Sequence, residues 1–405
     1  MPVAQPAGVG IFADLPPADA VLLWRVLRLV LSYARGDYDR RWFDAGRLRV
    51  WEKDLLLGAA DVRFRSACAV IVDELVDPDH ADMECVAHAC WCIVDWALDG
   101  DRSVATALAF TEAAALTWPV NARYALAAGR LFRRNGKPRE GEAWLNRSRR
   151  LAAHYSDHEC LVLSTSSLAM LYWEQGSLKQ AQRFLTRAQR VARRNGLRTL
   201  EGEVLHNLLV VAIDRGELDS AEAFAQAAFD RYMPDHLKLP ALAYDTAYLW
   251  LSRGHTRRAL RVFQALLPHF SETCAQVQVL CATCKAAGMT GARDVFASCA
   301  SRVAEITGRT KPDSTRAAAL VDLGVGALAL GENQLAESAL TDALTLARER
   351  GLSDTLMKAD EALDQLRRGE RVWERRPYTD ARQPQEELAA RFTTALSTFV
   401  SAGCV

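Results

Sequence analysis

One punctuation mark recurs along this chain and decides what it can become. A glycine is followed five residues later by a small residue, then by Phe or Leu, then by another small residue. The clearest case is Leu168–Ala188, LAMLYWEQGSLKQAQRFLTRA. Leu168, Ala169 and Tyr172 share one helical face, Gly176 interrupts it, and Ala181, Phe184, Leu185 and Ala188 form a second face. The spacing predicts two helices joined by a tight turn, because glycine enters the left-handed backbone region without a Cβ penalty. Small residues let the two helices approach, and large ones fill the groove between them. Such a hairpin cannot bury its own apolar face alone, so it must stack on further copies.

The copies are present. Gly136 leads to Gly141, Trp144, Leu145 and Ser148; Gly216 leads to Ala221, Phe224 and Ala228. Gly254 leads to Ala259, Phe263 and Leu266, Gly331 to Ala336, Leu340 and Ala343, and Gly100 to Ala105 and Leu108. Near Gly288 the register slips by one, with Ala292, Phe296 and Cys299 in the equivalent places, and Gly36 is the weakest match. From Gly100 the glycines fall 36, 40, 40, 38, 34 and 43 residues apart.

This pattern resembles the tetratricopeptide repeat, a helix–turn–helix unit of 34 residues. Residues 162–195 match best, with Leu168, Ala169, Tyr172, Ala181, Leu185 and Ala188 in the family's signature places. Residues 202–235 come next, with Ala212 in place of the expected aromatic, and Thr283 replaces Tyr near Gly288. The resemblance covers residues 85–350 and implies an all-α, right-handed solenoid of antiparallel helix pairs. The expected organisation is a flexible N-terminus at 1–17, a helical cap or divergent repeat at 18–84 and the solenoid at 85–368. A linker at 369–385 and a C-terminal amphipathic helix and tail at 386–405 complete it.

In the N-terminal part, Ala18–Ala34, Tyr38–Leu57, Ala60–Val76 and Asp82–Leu98 each read as a helix. In the last helix, Leu388, Phe392, Leu396 and Phe399 share a face. Capping the stack is its plainest use; folding into the groove or docking elsewhere are the alternatives.

Half of the residues are apolar and a quarter charged, which suits a folded soluble chain. The first residues lack a cationic export signal, and the apolar run at 20–34 carries Arg25 and Arg28 and is too short to span a bilayer. Ten cysteines in such a chain read as reduced thiols, so a cytoplasmic location and no membrane partner are expected.

Lys plus Arg equals Asp plus Glu at 50 each, yet the charge is segregated. Residues 51–112 hold 13 acidic against 4 basic residues, and residues 123–194 hold 15 basic against 5 acidic. An acidic partner, head-to-tail self-association and solvated helix faces all fit that division.

The resemblance implies that the inner face of each first helix lines a concave surface. It places Arg123, Arg130 and Arg134 there, then Ser166, Met170 and Glu174, then His206, Asn207 and Val210, then Tyr244 and Tyr248. Guanidinium groups suit carboxylates, Asn207 can bond a peptide backbone as donor and acceptor, and the tyrosines offer amphipathic contact area. Some family members grip a C-terminal carboxylate with Lys, Asn and Arg from two repeats. Asn207 matches one place of that set, and the preceding repeat lacks the rest.

Chemistry-bearing motifs are weak. Cys85, His88 and Cys92 share a helical face but are interleaved with Val86, Ala87, Ala89, Trp91 and Ile93, as in a buried helix, so no metal is expected. Cys281 and Cys284 form a lone CxxC. Gly324-Val-Gly326-Ala-Leu-Ala329 matches a dinucleotide fingerprint in letters, yet follows no strand. No catalytic signature and no cofactor are implied.

The expected function is a non-catalytic scaffold or adaptor that binds a protein or peptide. The chain also looks like the tetratricopeptide sensors among bacterial regulators, which bind a signalling peptide and change curvature. Those carry an N-terminal DNA-binding or helical effector domain, whereas residues 1–60, with 8 basic and 7 acidic residues, show no recognition helix. Nucleic-acid binding by the basic surface of residues 123–194 is the alternative.

Overall fold

Glycine supplies the joints of the chain. The computed structural model describes residues 9–36, 46, 48, 50, 61–233, 235–270, 273–310, 314–369 and 383–399. Among these residues every regular element is helical. By packing, the chain divides into two compact units, Met1–Leu200 and Glu201–Val405.

The first unit opens with a 3-10 turn, Val9–Phe12, and continues through α1 (Pro17–Arg35), α2 (Val62–Glu74), α3 (Met83–Leu98) and α4 (Val104–Thr117). Two helical hairpins follow, α5 (Ala122–Arg134) with α6 (Pro138–His154), and α7 (His158–Glu174) with α8 (Leu178–Arg194). The second unit holds α9 (Arg198–Asp214) and α10 (Leu218–Arg231), then α11 (Leu239–Ser252) and α12 (Thr256–Leu266). These are followed by α13 (Thr273–Thr290) and α14 (Arg293–Thr307), α15 (Ser314–Leu330) and α16 (Asn333–Arg350), α17 (Ser353–Arg368) and α18 (Gln383–Thr398). Among the described residues there are eighteen α-helices, most of them packed against their neighbours in the chain, the all-α repeat architecture the sequence predicts.

The same turn closes one hairpin after another. Gly176 takes φ of +75°, its N–H donates to the Trp173 carbonyl at 2.9 Å, and Ser177 N–H donates to the Tyr172 carbonyl at 2.8 Å. These bonds satisfy carbonyls the ending helix leaves open. The turn explains the apparent register slip near Gly288. Gly288 lies inside α13, and the residue at positive φ is Gly291, at +76°. Gly291 N–H donates to Gly288 and Ala292 N–H to Ala287, at 3.1 and 2.9 Å. Counted from Gly291, Phe296 and Val303 take the places that Ala181 and Ala188 take after Gly176, and all four are buried.

Phe12 is fully buried, its ring 6.4 Å from that of Phe110, so the part of the N-terminus expected as flexible includes a packed turn. One continuous core runs from Phe12 to Ala114, joining the helices expected as a cap to α3 and α4. The expected helix Tyr38–Leu57, apart from residues 46, 48 and 50, and most of the expected linker lie outside the described residues.

α18 does not cover the end of the stack. It docks on α11 and α12, in the middle of its unit, with Leu388, Ala389, Phe392 and Leu396 buried. Phe392 meets Phe229 edge-to-face at 4.6 Å and Trp250 at 6.3 Å. Glu386 pairs with Arg258 at 3.1 Å and with Arg261, and Arg391 pairs with Asp230 at 2.7 Å. Of the three destinations the sequence leaves open, docking elsewhere is the observed one. No described helix is long and apolar enough to cross a membrane.

Candidate functional site

In the first unit, the first helices of the two hairpins carry the arginine group. Asn121 caps α5 by accepting from Arg123 N–H at 2.8 Å, which starts the helix and aims its first turn at the neighbouring helix. There Arg123 pairs with Glu159 at 3.1 Å and approaches Asp157 at 3.7 Å. Arg130 Nε donates to the Ser167 hydroxyl at 3.0 Å. Arg123 and Arg130 therefore stitch α5 to α7. Arg134 is exposed, and its charge reaches Glu174.

The group that grips Glu174 is Arg133, which the sequence reading passes over. Burial raises the Glu174 carboxyl and the two arginines pull it back, leaving it above its ordinary value. Ser166 is buried and Met170 half-buried on the same helix. Tyr172, a signature residue, donates to Glu142 on α6 at 2.6 Å and packs on Phe184. Burial and that carboxylate push its hydroxyl up to about 12. Its role is between hairpins.

In the second unit, His206 is buried and bridges Asp245 at 2.7 Å and the Tyr232 hydroxyl at 3.3 Å. Tyr232 stacks on His236 at 4.0 Å, and Glu203 takes Lys238. His206 thus ties α9 to α11. Asn207 is half-buried beside it. Tyr244 and Tyr248, one turn apart on α11, lie 6.1 Å apart by ring centroids, and Tyr244 also packs on Phe263.

Tyr248 reaches a polar centre that the sequence reading does not name. Its hydroxyl donates to Asp322 Oδ1 at 3.1 Å, and Lys285 Nζ donates to the same oxygen at 2.7 Å. The Asp322 carboxylate, together with burial, pushes the Tyr248 hydroxyl up to about 12. Burial pulls Lys285 down, but Asp322 and Tyr248 more than offset it and leave the ammonium strengthened. The three groups come from α11, α13 and α15.

What brings them together is a close helix crossing. A β-carbon on Gly288 would lie 2.1 Å from the Gly326 carbonyl oxygen, so α13 and α15 touch backbone to backbone. Gly324 lies under the Leu340 side chain. The fingerprint-like Gly324-Val-Gly326 is therefore a packing element. Lys285 and Asp322 stand about one helical turn from this crossing.

An open cavity of about 410 Å³ lies over this centre. Tyr248, Lys285 and Asp322 form one wall, Val321 and Val325 the floor, and Asp354, Lys358 and Glu361 of α17 the far side. Two signals pointed to it in sequence: Lys285 and Asp322 each interrupt an apolar helical run. Cys281 and Cys284 are both buried next to it, and burial pushes the Cys281 thiol up, away from nucleophilic use. Among the described residues no group of three or more His, Cys, Asp or Glu is placed to hold a metal.

The tetratricopeptide repeat family model matches residues 121–194, the two hairpins α5 to α8. No curated protein sequence matches the chain. Among solved structures, the apo form of RapI has a TM-score of 0.50 at 10% identity, over 87% of this chain and 100% of that one. The Rap conjugation gene regulator of plasmid pLS20, in complex with the Phr* peptide, has a TM-score of 0.46 at 14% identity, over 85% of this chain and 96% of that one. BtubC from P. vanneervenii has a TM-score of 0.42 at 16% identity, over 57% of this chain and 94% of that one. At these identities the likeness is one of fold.

Proposed function

We propose that this tetratricopeptide-repeat protein is a non-catalytic scaffold that binds a peptide or an extended protein segment on the first-helix face of its repeats. Repeats of this family are in general interaction scaffolds. The observation that supports the reading most is the open cavity in the second unit, where α11, α13, α15 and α17 present polar groups side by side over an apolar floor. Such a surface offers shape and a few placed hydrogen-bonding groups without a nucleophile and base in register.

The first-helix face of α9 and α11 adds Asn207 and Tyr244 to that surface. In the first unit Arg123, Arg134 and Glu174 of the expected set are exposed and Met170 is half-buried, and Arg123 and Arg130 already bond to the neighbouring helix. An acidic partner segment would therefore meet Arg134.

Selection of a displayed random-peptide library on the full chain, followed by fluorescence anisotropy of the selected peptides, tests this. Affinity is expected to fall about tenfold on Asn207→Ala or Tyr248→Ala, as for loss of one good contact. Selected peptides that bind those variants as they bind the wild type, or no selected peptide at all, would refute the reading.

One feature favours nucleic acid as a second reading. Lys179, Arg183, Arg187, Arg190 and Arg194 form an exposed stripe along α8, and none of them makes an ion pair among the described residues. Binding through that stripe would weaken steeply with salt. A salt titration against random-sequence RNA separates the readings, since a peptide held largely by hydrogen bonds and apolar contacts changes little.

A further inference from the structure

We propose that the cavity bounded by α11, α13, α15 and α17 is a binding site for an organic cation: a primary ammonium or guanidinium group on a short aliphatic chain. The inference rests on the first-helix face of the second unit being a binding face, and it adds what that face selects.

Charge bookkeeping around the cavity leaves one unmatched group. Lys285 and Asp322 neutralise each other at 2.7 Å, as do Lys358 and Asp354 at 2.7 Å. Glu361 remains, accepting among the described residues only a long 3.4 Å contact from the Gln365 amide. An anion entering here would find each lysine already held by a carboxylate and would face Glu361 uncompensated.

Asp322 points the same way. It is 6% exposed, and both of its donors, Lys285 and Tyr248, meet one oxygen, Oδ1. Its second oxygen accepts no hydrogen bond from the described residues, although an ionised carboxylate has about four acceptor sites. A carboxylate oxygen left open in a cavity wall can accept from a donor on a ligand. A ligand N–H group set between Glu361 and the unused side of Asp322 completes both.

Size and floor fit the rest. The cavity of about 410 Å³ holds a chain of several methylenes beyond the charged head, and Val321 and Val325 give that chain an apolar surface. The glycine crossing of α13 and α15 fixes the wall, so the site is preformed.

Isothermal titration of the full chain with agmatine and with 1,5-diaminopentane tests the proposal, with glutarate and 1-pentanol as charge-reversed and neutral controls. The peptide acetyl-Gly-Gly-Arg-Gly-Gly-amide forms a further arm. Saturable binding of the cations, and none of the controls, is expected. Glu361→Gln, at an exposed position, is expected to weaken cation binding about tenfold, as for one charge-assisted contact. Because Asp322→Asn alone would orphan Lys285, the double variant Asp322→Asn/Lys285→Met is used, with circular dichroism to verify its fold; binding should be lost.

Tighter binding of the free amines than of the peptide assigns the site to a small molecule, and the reverse assigns it to a basic side chain of a partner; both uphold the cation. Absence of saturable cation binding, equal binding of glutarate, or wild-type affinity in Glu361→Gln overturns it. A selected peptide indifferent to Glu361→Gln and to the double variant would keep the scaffold reading and defeat this one. Cation binding with no peptide binding does the opposite.

Discussion

Gly326 lies against the backbone of Cys284 so closely that a β-carbon on it would stand 2.4 Å from the Cys284 carbonyl oxygen. Backbone cannot rotate aside as a side chain can. The separation of α13 and α15, and with it the Lys285–Asp322 pair, is therefore set by the absence of two side chains, at Gly326 and Gly288.

Gly326→Ala is accordingly expected to destabilise the second unit by about 3 kcal/mol, at the upper end of overpacking costs. Gly331→Ala serves as the contrast: φ is +78° with open space around it, and the cost is the left-handed backbone penalty of about 1 kcal/mol. Urea unfolding midpoints of the two variants compare them directly.

Phe392→Ala should cost about 3 kcal/mol, the usual range for emptying a fully buried aromatic site. Hydrogen exchange is the suitable readout. Protection should drop in α18 and in the facing parts of α11 and α12, while α5 to α8 keep theirs.

Docking of α18 should also respond to acid. Burial raises the Glu386 carboxyl, but Arg261 and Arg258 outweigh burial and hold it below its ordinary value of 4.5. A carboxylate with a depressed folded pKa contributes stability above its unfolded pKa and loses it as pH falls through the folded one. Protection of α18 is expected to be constant above pH 5 or so and to decline below about pH 4, close to the free carboxyl range. Glu386→Gln should start lower and lose that pH dependence.

Tyr172→Phe should destabilise the first unit by about 1 kcal/mol, the net worth of one hydrogen bond, by removing the donor to Glu142. Thermal unfolding followed by circular dichroism measures it. Binding of any partner by the second unit should not change.

Charge reversal separates the three arginines. Arg123→Glu places a carboxylate beside Glu159 and Asp157 and should lower the melting temperature of the first unit. Arg134→Glu, on an exposed side chain, should leave it within about 0.5 kcal/mol of wild type, as for most surface changes.

That contrast shows what sequence could and could not disclose. The glycine period, with small residues at fixed offsets, already specified hairpins, their order and the core positions Ala181, Leu185 and Ala188. Helical periodicity also put Arg123, Arg130 and Arg134 on one face. It carried no information about which of them meets an acid on the next helix, because that depends on how far two helices are offset along their axes. The offset is a tertiary quantity. The same limit hid the Lys285–Asp322–Tyr248 centre, whose members are contributed by three helices over 74 residues of chain. It produced the misread turn as well: Gly288 and Gly291 are equally plausible stops in letters, and the crossing partner Gly326 keeps the first inside a helix.

The return of α18 also orders events during synthesis. Most packing in the second unit joins neighbours in the chain and can form as each hairpin leaves the ribosome. Arg258 is different, for its carboxylate partner lies 128 residues downstream. Until α18 arrives, α12 holds a cation with 4% final exposure and an apolar flank beside Phe229 that nothing covers. A chain cut off before α18 thus displays a sticky, chaperone-accessible patch that the docked helix conceals, so that synthesis of α18 is itself registered as a change of surface.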